Sequence, residues 1–331
     1  MSDFRKNRMK ERLTLASGTY DVTLPLINKL VQPEGIDLNV LSNFETVDHI
    51  FRRMLYHSEF DISEMSIASY TIALDRGDKR FVAIPVFLNR HFLHKSFYCL
   101  RDSNIKSVND LVGKSLALPS YQNTRWVWAR GVLEDQYGIS PDKIKWFAEH
   151  PERIELNLPP GVELNLLPTG MRASEALENG TVDAILYFAR PWILNNKKIV
   201  KLFTDSRQEE INYYQKTKIF PPMHTVILKR EILERSPWVA QSLMQAYQAS
   251  KDLCYQTVKK LGISGGSSII WMYESSLDQS KIIGDDPYKF GLKENAHTLE
   301  VLFEYLLKQG LISSKPEAAD LFAKNALGIY G

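Results

Sequence analysis

Cysteine is scarce in this sequence of 331 residues, which contains only Cys99 and Cys254 and has no CxxC or other paired spacing. Two isolated cysteines indicate reduced, buried thiols rather than a disulfide framework. The sequence also has no run of about 18 apolar residues that could cross a bilayer. Its N-terminal region lacks the apolar core of a secretory signal. We therefore expect a cytoplasmic protein that has no membrane partner.

An excess of charge of one sign is missing as well. The 41 Lys and Arg residues nearly balance the 39 Asp and Glu residues, and the formal net charge is +2. No global field therefore favours nucleic acid as a partner, and the basic residues near the start predict a solvated tail over residues 1–11. With 44% apolar and 24% charged residues, the composition is typical of a soluble globular protein. The length suits two lobes.

Residues 81–102 are the most informative part of the sequence. Residues 81–87 are apolar on both faces, as in a strand inside a sheet that is covered on both sides. A second strand-like run covers residues 95–100, and a short cationic segment separates the two. Its basic residues are Arg90, His91 and His94. A loop between two apolar strands is a common mount for a binding site, so we expect residues 89–94 to form the floor of an active-site cleft.

The order of strand and helix patterns predicts an α/β protein with two lobes. Lobe 1 is predicted to be discontinuous, with residues 12–102 and 216–331, and lobe 2 to cover residues 103–215. Each lobe is expected to be a mostly parallel sheet flanked by helices, because strands and helices alternate along both. A lobe interrupted by a second lobe is typical of a hinged binding-protein fold, with the ligand cleft between the two.

Polar residues follow the predicted strands at several further points. The turn 17–21 contains Tyr20 and opens a helix, while Glu64 and Ser66 mark the junction of a strand and a helix. Such junctions lie at the C-terminal edge of an open sheet, where ligands bind, although the same residues also suit helix capping. The second lobe and the return segment add further candidates at corresponding positions. These are Tyr121, Gln122, Thr124, Arg125, Arg130, Tyr187, Arg190 and His224.

Several stretches, in a shared order, resemble the 4,5-dihydroxyphthalate decarboxylase family. They are Phe60-Asp61-Ile62-Ser63-Glu64-Met65-Ser66, Ala83-Ile84-Pro85-Val86-Phe87 with Arg90 and His94, Tyr121-Gln122-x-Thr124, Trp128-x-Arg130-Gly131, Ile219-Phe220-Pro221-Pro222-Met223-His224 and Gly284-Asp285-Asp286-Pro287-Tyr288. The resemblance covers about residues 15–310 and implies a type 2 periplasmic-binding-protein-like fold. The chain differs from the family where it has Leu88-Asn89 instead of Pro-Ser, and Ser120 and Arg125 instead of Glu and Ala. The last two differences alter the charge of the cleft by about two units, which leaves the substrate identity open.

The resemblance implies non-oxidative decarboxylation of a hydroxylated aromatic acid, most directly 4,5-dihydroxyphthalate to 3,4-dihydroxybenzoate and CO₂. This reaction needs a proton acceptor at the ring hydroxyls, an acid near the ring carbon and a cationic clamp for the remaining carboxylate. Arg90 is the predicted clamp, Arg125 is an additional one, and Arg130 either faces the cleft or braces its lobe. The other candidate contacts are Tyr20, Ser66, Tyr121, Gln122, Thr124, Tyr187 and Arg190.

The acid–base candidates are His94, His224 and His91, with Glu64 to orient a histidine or accept a proton. We expect no cofactor, although a divalent metal at His91, His94, Glu64 and His224 stays an alternative. The expected partner is a small aromatic polycarboxylate, and the sequence leaves a homo-oligomer open.

Two rival functions share this architecture. An ABC-transporter-type receptor for an aromatic or other organic anion would use the same fold and the same arginines, and the missing export signal argues against it. Another enzyme on this scaffold, such as one of the menaquinone pathway, is not excluded by composition.

Overall fold

Two mixed β-sheets organise the chain, as shown by a computed structural model that describes residues 10–328. The predicted tail, residues 1–11, lies almost entirely outside the described residues. Of its members the structure describes Lys10 and Glu11, and Glu11 already begins the first strand.

The strands of the described residues are β1 (Glu11–Ala16), β2 (Ile36–Leu41), β3 (Ile62–Ser66), β4 (Phe81–Arg90), β5 (Phe97–Leu100), β6 (Ser115–Leu118), β7 (Lys145–Ala148), β8 (Leu164–Leu166), β9 (Ala184–Leu186), β10 (Ile199–Lys201) and β11 (Pro222–Lys229). The α-helices are α1 (Leu24–Ile27), α2 (Val47–His57), α3 (Ile67–Asp75), α4 (Thr124–Tyr137), α5 (Ala173–Glu178), α6 (Pro191–Leu194), α7 (Ser206–Thr217), α8 (Arg230–Arg235), α9 (Trp238–Ser264), α10 (Met272–Ile283), α11 (Leu292–Lys308) and α12 (Lys324–Leu327). Short 3₁₀ helices cover His94–Ser96, Val108–Leu111, Pro141–Lys143 and Ala318–Leu321.

The first sheet has the order β2-β1-β3-β11-β4. Strand β1 runs parallel to β2 and β3, whereas β11 is antiparallel to its neighbours β3 and β4. The pairing of β11 with β4 shifts register on both sides of His224. Irregularities of this kind redirect side chains locally, and this one lies where β11 begins.

The second sheet has the order β10-β5-β9-β6-β7-β8. Strands β9, β6, β7 and β8 are parallel to one another, and β5 is antiparallel to both β9 and β10. The chain enters the second sheet at β5 and returns to the first sheet at β11. In each sheet, the strand that runs opposite to its neighbours is therefore the one at which the chain arrives from the other sheet. The prediction of an α/β protein with two helix-flanked sheets is confirmed, while the residue limits of the two lobes stay predictions.

Helix α4 ties the two sheets together. It is buried from Trp126 to Leu133, so this part of the helix packs within a core on all sides. Its Trp128 Nε1 donates a hydrogen bond to the carbonyl oxygen of Pro222, 3.0 Å away, at the start of β11. One apolar cluster accordingly contains Phe51 from the first sheet's helices and Trp146 from the second sheet. The sheets share a single continuous core.

Several element boundaries differ from those that the sequence predicts. Strand β4 continues to Arg90 instead of ending at Phe87, so Asn89 and Arg90 are strand residues. Near the end of the described residues, a 3₁₀ turn and α12 do not form one continuous helix, because Ala323 between them donates its N–H to the carbonyl oxygen of Ala83 in β4. Helices α7 and α10 were not predicted, since α7 is mainly polar and α10 buries none of its residues. Apolar periodicity, the main sequence signal for a helix, is weak when so little of a helix is buried.

Membrane crossing requires a helix of about 20 predominantly apolar residues. Within residues 10–328, no helix combines the required length with the required apolar character.

Gly131 is a point of close approach between α4 and α11. A Cβ atom at this position would overlap the ring of Tyr305, which is held by a 2.5 Å hydrogen bond from its hydroxyl to Asp135 and by edge-on packing with Trp128. Gly131→Ala is therefore expected to cost about 1–3 kcal/mol of unfolding free energy through overpacking, which outweighs the roughly 1 kcal/mol that alanine gains over glycine in a helix.

Urea denaturation of Gly131→Ala and of the control Gly328→Ala measures this difference. Among residues 10–328, apart from the adjoining residue, no atom lies within 4 Å of a Cβ at Gly328, so the control should unfold at about the wild-type midpoint. A stabilised Gly131→Ala protein would show that the contact between α4 and α11 is not tight.

Candidate active site

Glu64 is fully buried on β3 and is the centre of a hydrogen-bonded cluster. Its Oε1 accepts hydrogen bonds from the Tyr20 hydroxyl at 2.5 Å and from His224 Nδ1 at 2.6 Å. Its Oε2 accepts one from the backbone N–H of Gly18 at 2.7 Å. Burying a carboxylate is costly unless donors surround it. The three donors provide that compensation, and the side chains of Tyr20 and His224 are thereby held against Glu64.

The approach of the Gly18 backbone depends on its lack of a side chain. A Cβ atom at Gly18 would lie 2.9 Å from both the Tyr20 hydroxyl oxygen and Val47 Cγ1. Any larger residue would displace Tyr20 or withdraw the N–H from Glu64.

His224 is oriented as a proton acceptor. Because its Nδ1 donates to Glu64, the neutral ring carries its lone pair on Nε2. Nε2 has no hydrogen-bond partner among the described residues, and 13% of the side chain is exposed. The ring packs edge-on against Phe51, with 5.0 Å between ring centroids. A carboxylate behind a histidine with a free outer nitrogen is an arrangement suited to general acid–base chemistry.

Tyr20 acts as a hydrogen-bond donor in this cluster. Burial, followed by the charge of Glu64, raises its pKa well above the ordinary value, so the phenol stays protonated at neutral pH. Its oxygen also accepts a hydrogen bond from Asn89 Nδ2 at 3.3 Å. Asn89 near the end of β4 thus joins the cluster, and it belongs to the predicted cleft floor over residues 89–94.

A cavity of about 370 Å³ is lined mainly by basic and aromatic residues. The basic ones are His91, Lys95, Arg125, Arg190 and Lys201, and the aromatic ones are Tyr98 and Phe188. The cavity lies close to the cluster, because Arg125 in its wall follows Thr124, which is hydrogen-bonded to Ser66, the residue opposite His224 in the first sheet. We call it the cationic cavity.

Arg125 projects from the first turn of α4 into the cationic cavity. Its guanidinium carbon lies 4.7 Å from the centroid of the Phe188 ring. Its side chain makes no hydrogen bond or ion pair with any described residue. Burial lowers the pKa of Arg125 to about 10, which keeps it charged at neutral pH. A partly buried cation without a protein partner is suited to hold an anionic ligand.

His91 lines the same cavity and is neutral. Its backbone N–H donates to the carbonyl oxygen of Pro221 at 3.0 Å, which fixes its position. Burial, and then the charges of Arg125 and Lys95, lower the pKa of His91 to about 3. Both effects disfavour the charged form of a histidine.

The prediction that Arg90 clamps a carboxylate is wrong, because its guanidinium is buried and already bonded. It donates to the carbonyl oxygens of Phe220 at 2.7 Å and Lys289 at 2.9 Å, and to Asn295 Oδ1 at 2.5 Å. Burial lowers its pKa to about 10, so it remains a cation that donates to these acceptors. Arg90 braces the crossing segment before β11 against residues 289–295.

Arg130 was predicted either to face the cleft or to brace its lobe, and the structure shows that it braces its lobe. Its Nε donates to Gln309 Oε1 at 2.9 Å and its Nη2 to the carbonyl oxygen of Tyr121 at 2.8 Å. The guanidinium lies 3.5 Å from the centroid of the Tyr121 ring. Gln122 is also buried, with Nε2 donating to the carbonyl oxygen of Ile154 at 3.1 Å. The predicted substrate contacts of Tyr121, Gln122 and Arg130 are corrected accordingly, because all three serve packing.

His94 is likewise a packing residue and not an acid–base group of the cavity. Its Nε2 lies 3.0 Å from Gln136 Oε1, and its ring is edge-on to Phe203 with 5.2 Å between centroids. Burial lowers its pKa. The alternative metal site at His91, His94, Glu64 and His224 therefore lacks the required convergence. No three His, Cys, Asp or Glu side chains lie together as metal ligands within the described part of the chain.

Ser66 and Thr124 join the two sheets beside the site. Their hydroxyl oxygens are 2.8 Å apart, and Thr124 Oγ1 accepts a hydrogen bond from the backbone N–H of Ala68 at 3.0 Å.

Tyr187 lies near the cavity with its hydroxyl 3.4 Å from Glu149, and burial together with Glu149 raises its pKa. Arg190 is exposed at the cavity rim, with its guanidinium 5.6 Å from the Phe188 centroid. Substrate contacts stay predictions for Ser66, Thr124, Tyr187 and Arg190.

The sequence missed Lys95, Tyr98, Phe188 and Lys201 as cavity residues. Phe188 stands between the candidates Tyr187 and Arg190, and this position was a usable signal. Lys201 belongs to β10, whose pairing with β5 brings Lys201 opposite Tyr98. The paired residues are more than a hundred positions apart in the sequence, so no local sequence pattern indicates that Lys201 lines the cavity.

Comparison with known proteins provides a family assignment. No family model matches the chain. A 4,5-dihydroxyphthalate decarboxylase of Comamonas testosteroni is 31% identical over 323 residues, which cover 95% of this chain and 96% of that protein. The chain belongs to the 4,5-dihydroxyphthalate decarboxylase family. A second relative of the same name, from Pseudomonas putida, is 31% identical over 214 residues, or 62% of this chain and 82% of that protein. Both are carboxy-lyases by name, and this chain is assigned to that class of enzymes.

Solved structures show the same fold at low sequence identity. The periplasmic aliphatic sulphonate binding protein SsuA from Escherichia coli matches with a TM-score of 0.54 and 12% identity, over 96% of this chain and 98% of that chain. The desulfurization enzyme DSZB matches with a TM-score of 0.50 and 14% identity, over 95% and 96% of the two chains. The periplasmic-binding-protein-like fold predicted from the sequence is confirmed.

The depressed pKa of His91 predicts a loss of stability in acid. An unfolded histidine takes up a proton as the pH falls below about 6.5, whereas folded His91 does so only near pH 3. Protons therefore favour the unfolded chain between these values, and His91 alone should cost about 2 kcal/mol on going from pH 7 to pH 5. Unfolding free energies from urea titrations at both pH values measure this loss.

His91→Gln removes the titrating group, so its unfolding free energy should fall less over the same pH interval. The matched control is His297→Gln, which replaces an exposed histidine of α11 and should keep the wild-type dependence. Equal acid losses in His91→Gln and the wild type would show that His91 titrates normally in the folded protein.

Proposed function

We propose that this chain catalyses the non-oxidative decarboxylation of a hydroxylated aromatic dicarboxylate, 4,5-dihydroxyphthalate, to 3,4-dihydroxybenzoate and CO₂. The observation that carries the proposal is the Glu64–His224 pair with its free Nε2 beside a cavity that contains the unpaired cation Arg125. The names of the two relatives support the same substrate. The proposed partner is therefore a small aromatic polycarboxylate.

The chemistry requires electron density at the ring carbon that bears the departing carboxylate. A hydroxyl para to that carbon supplies it on losing its proton, and His224 Nε2 is the acceptor, with Glu64 stabilising the resulting imidazolium. The ring carbon then takes a proton from an acid. The bond to the carboxylate breaks, its electron pair restores the aromatic ring, and CO₂ leaves.

The cationic cavity supplies binding and orientation. Arg125 pairs with the carboxylate that stays on the ring, because a guanidinium binds a carboxylate through two parallel hydrogen bonds. Phe188, against which Arg125 packs, offers an apolar face beside that position. The departing carboxylate is better left without such a cation, since gripping it would stabilise the ground state and slow the step. Arg125 is therefore assigned to the carboxylate that stays and His224 to the ring hydroxyl.

Incubation of the purified protein with 4,5-dihydroxyphthalate tests the proposal, with ring absorbance and released CO₂ followed together. Turnover to 3,4-dihydroxybenzoate is the expected result. Binding of the dicarboxylate without CO₂ release would contradict the enzyme and favour the solute receptor, whose fold is the same. Parallel reactions with a chelator test the expectation that no metal is needed, which stays a prediction, as do a cytoplasmic location and a homo-oligomer.

Glu64→Gln is expected to lower kcat by about 10²- to 10⁴-fold, the usual contribution of a positioned acid–base group. All three neighbours donate to the carboxylate, so an amide must set its NH₂ group against at least one of them. This conflict removes the donor–acceptor match that keeps the lone pair of His224 on Nε2. Steady-state kinetics measure the effect, with circular dichroism to verify folding.

Glu45→Gln replaces an exposed glutamate and provides the control, for which wild-type kcat is expected. A folded Glu64→Gln enzyme with near-wild-type kcat would exclude the Glu64–His224 pair from the chemistry.

Arg125→Ala is expected to raise KM by roughly 10- to 100-fold, because it removes a charge-assisted contact worth about 1.5–3 kcal/mol. The change in kcat should be smaller, since the clamp binds substrate and transition state alike. The matched control Arg207→Ala removes an exposed arginine of α7 with no polar partner in the described structure, and it should keep the wild-type KM. Equal KM values in both variants would place the substrate carboxylate elsewhere.

A further inference from the structure

We propose that the cationic cavity binds a small dianion and that His91 takes up a proton when the dianion is bound. This inference rests on the proposed function and deepens it, because it names the acid that protonates the ring. It is carried by the charges that surround the cavity and by the position of His91 among them.

The charged residues of the cavity wall are all basic. Four permanently charged side chains line it, namely Lys95, Arg125, Arg190 and Lys201, and no aspartate or glutamate does. Only Lys95 has an acidic neighbour within 4.0 Å, the Oε2 atom of Glu210. Arg125, Arg190 and Lys201 form no ion pair with the described residues. Four cations around about 370 Å³ create a positive potential that an anion of matching size would neutralise.

His91 experiences this potential from several elements at once. Arg125 faces it from α4, Lys95 from the 3₁₀ helix His94–Ser96 and His224 from β11, while Arg190 and Lys201 complete the wall of the same cavity. Its ring has no hydrogen-bonded carboxylate among the described residues, whereas His224 has Glu64. The two histidines therefore have different surroundings, and His91 stays deprotonated when no anion is bound.

A bound dianion favours protonation of His91, because its attraction for an imidazolium opposes both the cost of burial and the repulsion by neighbouring cations. Its negative charges offset Arg125 and Lys95, which are the main charged neighbours that oppose protonation of the ring. His91 then gains a proton from solvent and holds it at the cavity wall beside the bound ring. The acid is formed only when substrate is present.

This step completes the proton balance of the reaction. His91 delivers its proton to the ring carbon, the bond to the carboxylate breaks, and its electron pair returns to the ring as CO₂ leaves. His224 gives the hydroxyl proton back to the product oxygen. The dicarboxylate substrate carries one more negative charge than the monocarboxylate product, so one proton is consumed per turnover, and His91 is the group that takes it up.

Isothermal titration calorimetry with benzene-1,2-disulfonate tests the inference. This dianion has the shape of an aromatic ortho-diacid but neither loses CO₂ nor titrates near neutral pH. Titrations in buffers of different ionisation enthalpy give the number of protons taken up on binding. If the pKa of His91 returns to about 6.5, uptake should be about 0.8 protons per site at pH 6 and about 0.1 at pH 7.5.

Variants assign the proton to a residue. His91→Gln should bind the disulfonate with little or no uptake at pH 6, whereas His224→Gln should keep the wild-type uptake. Arg125→Gln should weaken binding at least tenfold, and it provides a second test if His91→Gln does not fold. Neutral benzene-1,2-dimethanol should cause no uptake.

Uptake that persists in a folded His91→Gln protein would overturn the inference, and so would failure of the disulfonate to bind wild-type protein. Turnover of 4,5-dihydroxyphthalate, measured separately, distinguishes this failure from that of the proposed function. Turnover without proton uptake on disulfonate binding would refute the role of His91 alone. Uptake without turnover would keep the anion site and refute the decarboxylase.

Discussion

The structure depends on the burial of one carboxylate, that of Glu64. An unpaired charge in this position would cost several kcal/mol, so the fold must deliver donors to it at the same time from separate parts of the chain. The sheet order explains how it does so. Strand β3 lies between β1 and β11, where β1 leads directly to Gly18 and Tyr20, and β11 carries His224. The return of the chain to the first sheet is thus what completes the site.

The irregular pairing at the start of β11 belongs to the same constraint. His224 lies opposite Ser66 in β3 and Asn89 in β4, with register shifts toward β4 on both sides of it. A regular strand would alternate its side chains across the sheet, whereas a local shift permits a different direction for one residue. Asn89 and His224 then both reach the cluster, Asn89 through the Tyr20 hydroxyl and His224 through Glu64.

Sequence patterns were sufficient for the fold and for part of the site. Alternating strands and helices predict two sheets because burial on both faces leaves a strong apolar signal. Glu64 was singled out at the predicted junction of a strand and a helix, and His224 in the segment that returns to the first lobe, and the structure brings the two into contact. Arg90 shows the limit of such reasoning. Its acceptors come from residues 220, 289 and 295, and no local pattern reports contacts over such separations. His91 and His94 show a second limit, since a 3₁₀ turn begins at His94 and directs its ring to Gln136 while His91 stays at the cavity.

The first turn of α4 connects packing with binding. Thr124 is hydrogen-bonded to Ser66 and so joins the two sheets. Arg125, about 100° further around the helix, enters the cationic cavity. Nearby, Arg153 from the second sheet's side packs over Phe51 and pairs with Asp48 of α2, and Phe51 in turn contacts His224. Because these contacts lie between the two sheets, a movement that separates the sheets would shift Arg125 away from His224. The shared core therefore sets the distance between these two side chains, and the reaction proposed above, with one held carboxylate and one positioned histidine, requires such a rigid core.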